Sequence, residues 1–101
     1  MRRAAKVDAN QAAIVSALRA AGASVWVIGL PVDLVIGVAG TTALVECKTL
    51  TGLRKPKPAS YTPLQQAFMA DWRGAPVHTL TDVDGALRLV AEMKARLSFG
   101  G

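Results

Sequence analysis

Cysteine and histidine are nearly absent from this chain, which has one residue of each among its 101 residues. A single cysteine cannot form an internal disulfide, so a disulfide-stabilised secreted scaffold is excluded. The same scarcity excludes multi-cysteine zinc modules and the zinc motifs that need two histidines.

Aromatic and acidic residues are also scarce. Aromatics make up 5% of the chain, and its apolar half includes eighteen alanines, so the composition allows one modest core and one domain spanning residues 1–101. Only 7 acidic residues oppose 12 basic ones, for a formal net charge of +5. This excess of positive charge favours a polyanionic partner, most often a nucleic acid.

Long hydrophobic runs are missing as well. A membrane-spanning helix needs roughly 18 apolar residues, and the longest candidate, residues 25–38, is interrupted by Gly29, Pro31 and Asp33. The basic stretch over residues 1–6 has no hydrophobic signal segment after it. We therefore expect an intracellular protein with no membrane partner.

Hydrophobic periodicity and turn residues predict a chain of seven elements in the order α-β-β-β-α-β-α. The strand–helix–strand step allows a parallel pair, so we expect an α/β fold with a mixed four-stranded sheet flanked by helices and a C-terminal helix. The predicted bounds are 8–21, 24–28, 32–38, 41–48, 62–74, 76–80 and 81–97, with a basic arm at 1–7, a basic proline-containing loop at 49–60 and a flexible tail at 98–101.

Helix caps and core stripes follow from the same pattern. We expect Asp8 to cap the first helix, Thr62 followed by Pro63 to open the next, and Thr81 with Asp84 to form a capping box on the last. The predicted core residues are Gln11, Ile14, Val15 and Leu18 of the first helix, Leu64, Phe68 and Trp72 of the second, Val83, Leu87, Val90 and Leu97 of the third, and Trp26 of the first strand.

Three charged residues stand in or beside apolar strands. Asp33 lies within Val-Asp-Leu-Val-Ile, and Glu46 and Lys48 end the following strand two residues apart, which places them on one face. A charge in a strand core is costly unless it is paired or binds a metal. In a hairpin that turns near Gly40, Asp33 and Glu46 are at similar distances from the turn, so the three groups are expected to meet.

Two neighbouring carboxylates are what a hard divalent cation such as Mg²⁺ or Mn²⁺ requires, because it takes oxygen ligands and retains several waters. The backbone carbonyl of Cys47 would add a ligand. Lys48 beside the metal would orient a water and stabilise charge that develops on a phosphate.

The segments Pro31-Val32-Asp33 and Glu46-Cys47-Lys48 resemble the motif of the PD-(D/E)xK nuclease superfamily. Over residues 8–90 the chain resembles the small stand-alone VRR-NUC nucleases of phages and prophages, which are close to archaeal-type Holliday junction resolvases. The segment from Thr62 to Phe68 resembles the helix that follows their active-site strand, and the glutamine that helps to complete their site matches Gln65.

Two positions depart from the family pattern. Val32 separates Pro31 from Asp33, whereas the pattern has the proline directly before the acid. Resolvase-like relatives also carry a metal-binding glutamate on the first helix, and the matching position here is Gln11, a neutral and weaker ligand.

The resemblance implies a restriction-endonuclease-like αβββαβ core and a Mg²⁺- or Mn²⁺-dependent endonuclease that hydrolyses phosphodiester bonds in DNA, including branched or junction DNA. Asp33 and Glu46 would hold the metal with the Cys47 carbonyl, and Gln11 would assist from the first helix. Lys48 would position the attacking water, and Gln65 would support the site. The implied location is the cytoplasm of a bacterium or of a phage's host.

Two further expectations concern partners. Arg54, Lys55 and Lys57 follow Lys48 closely in a proline-broken loop and are expected to contact phosphates. Resolvases of the resembled kind act in pairs, and the apolar helix faces would serve an interface, so we expect a homodimer.

Structural alternatives stay open for each site residue. Asp33 would alternatively be a buried cap or pair with Lys48 in a purely structural ion pair. Glu46 and Lys48 would be ordinary strand-end charges, and Gln65 would only complete a capping box. At the level of function, Gln11 favours a DNA-binding protein that retains the nuclease fold without turnover. A small interaction module with incidental positive charge is a third possibility.

Overall fold

A computed structural model describes residues 9–49 and 62–100. Several predicted features lie outside this range: the basic arm at 1–7, the Asp8 cap, and residues 50–60 of the basic loop with Arg54, Lys55 and Lys57.

The seven predicted elements are all present in the predicted order, which confirms the α/β fold class. No helix in the described part of the chain is both long enough and apolar enough to cross a membrane. The observed elements are α1 (Gln11–Ala20), β1 (Ser24–Val27), β2 (Leu34–Val38), β3 (Thr41–Cys47), α2 (Pro63–Asp71), β4 (His78–Leu80) and α3 (Val83–Gly100).

The four strands form one mixed sheet in the order β1-β2-β3-β4, with β1, β2 and β3 antiparallel and β4 parallel to β3. The β2–β3 hairpin turns through Ala39 and Gly40, whose φ angles are 51° and 83°. Two successive positive φ angles give a tight two-residue turn whose twist matches the strands. This turn sets Val38 opposite Thr41 and thereby fixes the register of the whole hairpin.

The core lies on one face of this sheet, where α1 and α3 pack against each other and against the strands. Alternation along β2 decides which residues enter it, since Leu34, Ile36 and Val38 are buried while Val35 and Gly37 are half-buried. The central residues of the core are Ile14, Leu18, Leu34, Ile36, Val38, Val45, Cys47, Val90 and Met93.

Both tryptophans were expected in the core, and the structure contradicts this: Trp26 is 73% exposed and Trp72 is 43% exposed. Because Val25 points into the core, strand alternation directs Trp26 to the opposite face of the sheet. The predicted apolar stripe of α2 does not join the core either. Leu64 is exposed, and Gln65 is the buried residue of that helix.

The predicted cap of α3 is wrong, and its predicted core stripe is confirmed at Val90 but wrong at Val83 and Leu87. Asp82 begins the helix, because its Oδ1 accepts a hydrogen bond of 2.7 Å from the Gly85 N–H, and the proposed box of Thr81 and Asp84 is not the cap. Val83 and Leu87 are exposed. Over residues 83–96, α3 buries Ala86, Leu89, Val90 and Met93. The helix continues to Gly100 through most of the predicted tail, and the side chain of the predicted core residue Leu97 lies outside the described part.

The two leucines of α3 provide a matched test of this correction. Leu89→Ala should lower the free energy of unfolding by about 2–5 kcal/mol, because it opens a cavity in the core. Leu87→Ala should change it by less than about 0.5 kcal/mol, since that side chain is exposed. Chemical denaturation of both variants measures the difference, and equal losses would contradict the observed helix orientation.

Candidate active site

The β2–β3 hairpin brings Asp33 opposite Glu46. Leu34 pairs with Val45, and the two acids occupy the next position of the ladder. The carboxylate of each acid accepts a hydrogen bond from a backbone N–H on the other side of the hairpin. The Asp33 N–H donates to Glu46 Oε1 at 3.1 Å, and the Cys47 N–H donates to Asp33 Oδ2 at 2.7 Å. The two acids are therefore neighbours across the hairpin, as their distances from the turn predict.

Glu46 is almost completely buried, with 2% of its surface exposed. Its neighbours Val45 and Cys47 belong to the core, so strand alternation places the Glu46 side chain on the other face of the sheet. On that face Gln65 of α2 covers it, and Gln65 Nε2 donates to Glu46 Oε2 at 3.1 Å. Lys48 Nζ lies 3.3 Å from the same oxygen, as expected from their two-residue spacing.

Gln65 completes a capping box and also contacts Glu46, and its support of a catalytic site stays a prediction. Its backbone N–H donates to Thr62 Oγ1 at 3.2 Å, and its side-chain Oε1 accepts from the Thr62 N–H at 3.1 Å, which completes a capping box with Pro63 at the first helical position. The amide oxygen therefore serves the cap and the amide nitrogen serves Glu46. This division fixes the orientation of the amide and aims its donor at the carboxylate.

The electrostatics of the site centre on Glu46. Burial raises the pKa of its carboxyl above the ordinary value, and the negative charge of Asp33 raises it further. The hydrogen bond and positive charge of Lys48, together with the Asp33 N–H, act in the opposite direction on this pKa. Their influence is the weaker, so the ionised form of Glu46 is disfavoured in the metal-free protein.

The start of α1 is tied to the same end of the sheet by Asn10, a residue that sequence analysis missed. Its amide donates to the carbonyl oxygens of Lys48 at 3.0 Å and of Thr81 at 2.8 Å. An asparagine directly before a helix is typical of a cap, but here its side chain makes no cap hydrogen bond. It fastens the helix to the strand that carries Glu46 and Lys48.

Gln11 follows Asn10 and is buried, with 8% of its surface exposed, which confirms its predicted inward orientation. Its Oε1 has no hydrogen-bond partner within the described residues. A buried amide oxygen left without a donor is costly. Its metal-binding role stays a prediction.

Acidic and sulfur ligands for a metal are few. Within residues 9–49 and 62–100, no three side chains of His, Cys, Asp or Glu come together as a metal-binding group. Asp33 and Glu46 form a pair, which is sufficient for a cation that keeps several waters. Cys47 is buried in the core as a free thiol, and the role of its carbonyl oxygen stays a prediction.

Comparison of the chain with protein-family models, with curated proteins and with solved structures finds no match. What the site does must therefore be inferred from its own residues and their geometry.

The raised pKa of Glu46 gives a pH dependence with a definite sign. Because the folded-state pKa lies above the unfolded value near 4.5, protonated Glu46 stabilises the fold below that value. This contribution is lost as the pH rises through the folded-state pKa. In EDTA, wild-type stability should therefore fall relative to Glu46→Gln as the pH is raised from acidic to neutral.

Urea denaturation over that pH range measures this trend, and any constant offset from the altered hydrogen bonds cancels. Glu92→Gln is the matched control, since it makes the same substitution at an exposed position of α3. A difference between wild type and Glu46→Gln that does not vary with pH would contradict the raised pKa.

Proposed function

We propose that this protein is a divalent-metal-dependent nuclease of the PD-(D/E)xK type that hydrolyses phosphodiester bonds in DNA. One observation carries the proposal. The Asp33 backbone N–H, Lys48 Nζ and Gln65 Nε2 all contact the buried carboxylate of Glu46. An ordinary strand-end charge would be solvated, whereas this one is enclosed by partners that match the motif by residue type and spacing.

The residues present fit a hard divalent cation. Burial and the charge of Asp33 make ionised Glu46 unfavourable, and a cation between the two carboxylates would offset that cost. Asp33 and Glu46 would hold Mg²⁺ or Mn²⁺, with the Cys47 carbonyl as a further oxygen. The unpartnered Oε1 of Gln11 supports a role for this residue from α1. A cation held there would polarise the scissile phosphate and lower the pKa of an attacking water.

Lys48 has the position of a group that handles water and phosphate. Its ammonium is anchored to Glu46 Oε2, while 13% of its side chain remains exposed. It can donate to an attacking water and to the negative charge that develops on a phosphate oxygen. Gln65 is a positioning residue, because it acts by holding the Glu46 carboxylate in place.

DNA is the proposed substrate because the chain carries a net charge of +5 and a basic sequence segment with Arg54, Lys55 and Lys57. The resemblance to junction resolvases favours branched or junction DNA over continuous duplex.

A second candidate is a DNA-binding protein that retains this fold without turnover. Gln11 favours it, because a neutral amide stands where resolvase-like relatives carry a metal-binding glutamate. Such a protein would bind DNA in a salt-dependent manner and show no metal-dependent cleavage.

The two candidates separate in a cleavage assay with duplex, flap and four-way-junction DNA in Mg²⁺ or Mn²⁺ against EDTA. Asp33→Asn and Glu46→Gln should reduce metal-dependent cleavage below detection, and Glu92→Gln should leave it unchanged. Mg²⁺ should also raise the melting temperature of the wild type and not that of Asp33→Asn, because ligand binding stabilises the folded state. Undiminished cleavage by Asp33→Asn, with contaminating nuclease excluded, would contradict the proposed nuclease site.

For the proposed homodimer, we suggest pairing through the outer edge of β1 in place of the helix faces. The Ile28 N–H donates to the Asp33 carbonyl at 2.9 Å, so alternation turns the backbone groups of Val25 and Val27 away from β2. The Arg19 guanidinium donates to the Val25 carbonyl at 3.0 Å and covers one of these acceptors. No strand of the described residues pairs with this edge, and Trp26 and Val27 beside it are exposed. An antiparallel β1 from a second copy would continue the sheet across a two-fold axis.

Val27→Pro tests this edge, because it removes an outward N–H without removing a hydrogen bond to β2. Light scattering should give the mass of two chains for wild type and for Val27→Ala, and that of one chain, 10.6 kDa, for Val27→Pro. Equal masses for the two variants would contradict pairing through β1.

A further inference from the structure

A shallow apolar groove of about 510 Å³ lies between the Leu30–Pro31 segment and α2. Five of its six lining residues are apolar, and the sixth is Asp71. The lining residues are Leu30, Pro31, Leu64, Ala67, Phe68 and Asp71.

The groove adjoins the candidate active site, because the same two segments build both. Pro31 lines the groove two residues before Asp33. On α2, Gln65 is buried against Glu46, while its neighbour Leu64 is 54% exposed and faces the groove. A strand of DNA with a phosphate at the carboxylates would therefore have its next nucleotide within reach of this groove.

The chemistry of these walls determines which part of a nucleotide the groove can bind. A phosphate is excluded, since the groove offers apolar carbon and the negative charge of Asp71. A flat, uncharged and partly apolar group suits these walls, and the Asp71 carboxylate can accept hydrogen bonds from the amino or imino groups of a base.

The aromatic wall is already ordered. Phe68 stacks on Trp72 with ring centroids 5.1 Å apart and an interplanar angle of 28°. Trp72 is fixed in turn, because its Nε1–H donates to the Ala75 carbonyl at 2.7 Å. A preformed aromatic surface loses little conformational freedom when a base stacks on it.

We propose that this groove binds an unpaired nucleobase of a DNA strand whose adjacent phosphate lies at Asp33 and Glu46. The inference rests on the proposed nuclease function and narrows its substrate class. A base inside a continuous duplex is stacked and paired, so it cannot enter the groove. The preferred substrates are therefore DNA with a single-stranded segment at the cleavage position, such as flaps and overhangs.

Two oligonucleotides of equal length and equal phosphate number provide the test, one with all its bases and one with a run of abasic sites. Fluorescence anisotropy in EDTA measures binding without cleavage. The oligonucleotide with bases should bind the wild-type protein roughly tenfold more tightly, as one stacked base contributes. Leu64→Ser and Phe68→Ala should remove most of this difference, and both folds are checked by circular dichroism.

Leu87→Ser is the matched control, since it makes the same substitution at a similarly exposed leucine on α3, outside the groove. It should preserve the preference for bases. Equal affinity of the wild type for the two oligonucleotides would overturn the proposal, as would a preference that survives Leu64→Ser. A dimer that Leu64→Ser converts to a monomer would overturn it too, because the groove would then be covered by a second copy.

Failure of this inference is distinguishable from failure of the proposed nuclease. Cleavage that requires Asp33 together with no preference for bases rejects the groove and leaves the nuclease intact. A preference for bases that Leu64→Ser removes, without any cleavage, supports the groove in a protein that only binds DNA.

Discussion

The candidate site depends on the contacts that the buried carboxylate of Glu46 makes. Three donors from three different parts of the chain converge on it: the Asp33 N–H before β2, Lys48 Nζ after β3 and Gln65 Nε2 from α2. Hydrogen bonds to a charged group are stronger than neutral ones, and each donor would be costly to leave unmatched. The carboxylate therefore accepts hydrogen bonds from three parts of the chain, and burial raises its pKa above the ordinary value.

The hairpin turn is what keeps Glu46 on the correct face of the sheet. Successive side chains of a strand point to opposite faces, so a slip of one residue in register would exchange Glu46 with its neighbours. Val45 or Cys47 would then face Gln65, and the carboxylate would enter the core among Leu34 and Leu18. The positive φ angles of Ala39 and Gly40 forbid this slip, because they commit the turn to two residues. A local backbone feature thus determines where the charge lies.

The site was more predictable from the sequence than the core that surrounds it. Counting residues from Gly40 was enough to place Asp33 against Glu46, since antiparallel pairing makes sequence distance from a turn equivalent to position. Strand alternation likewise placed Lys48 beside Glu46. Both inferences use geometry that is fixed by the backbone and does not depend on how the elements pack.

The core was harder because packing decides it. On α3, the rows through Leu87 and through Leu89 are both helix-periodic, and only the position of the sheet shows that the row with Ala86 and Met93 is buried. The alanines of α3 do not distinguish its buried face from its exposed face, since alanine occurs on both kinds of surface. Trp26 was misplaced for a related reason: sequence alternation separates two faces of a strand without indicating which face the helices cover. Asn10 was missed because its partners, the carbonyls of Lys48 and Thr81, are distant in sequence.

The helix α2 contributes to both the candidate site and the groove, because it buries Gln65 against Glu46 and lines the groove with its apolar residues. All residues of α2 are described, and among them Gln65 alone is buried, so its contacts with Glu46 and Thr62 anchor the start of this helix. The apolar side chains of the helix stay outside the core, where Leu64 is exposed and Phe68 is half-buried. Because the Gln65 donor is directed at an ionisable carboxylate, the charge on Glu46 and the position of α2 are coupled. The cation that we propose for the carboxylate pair would bind beside this hydrogen bond of 3.1 Å.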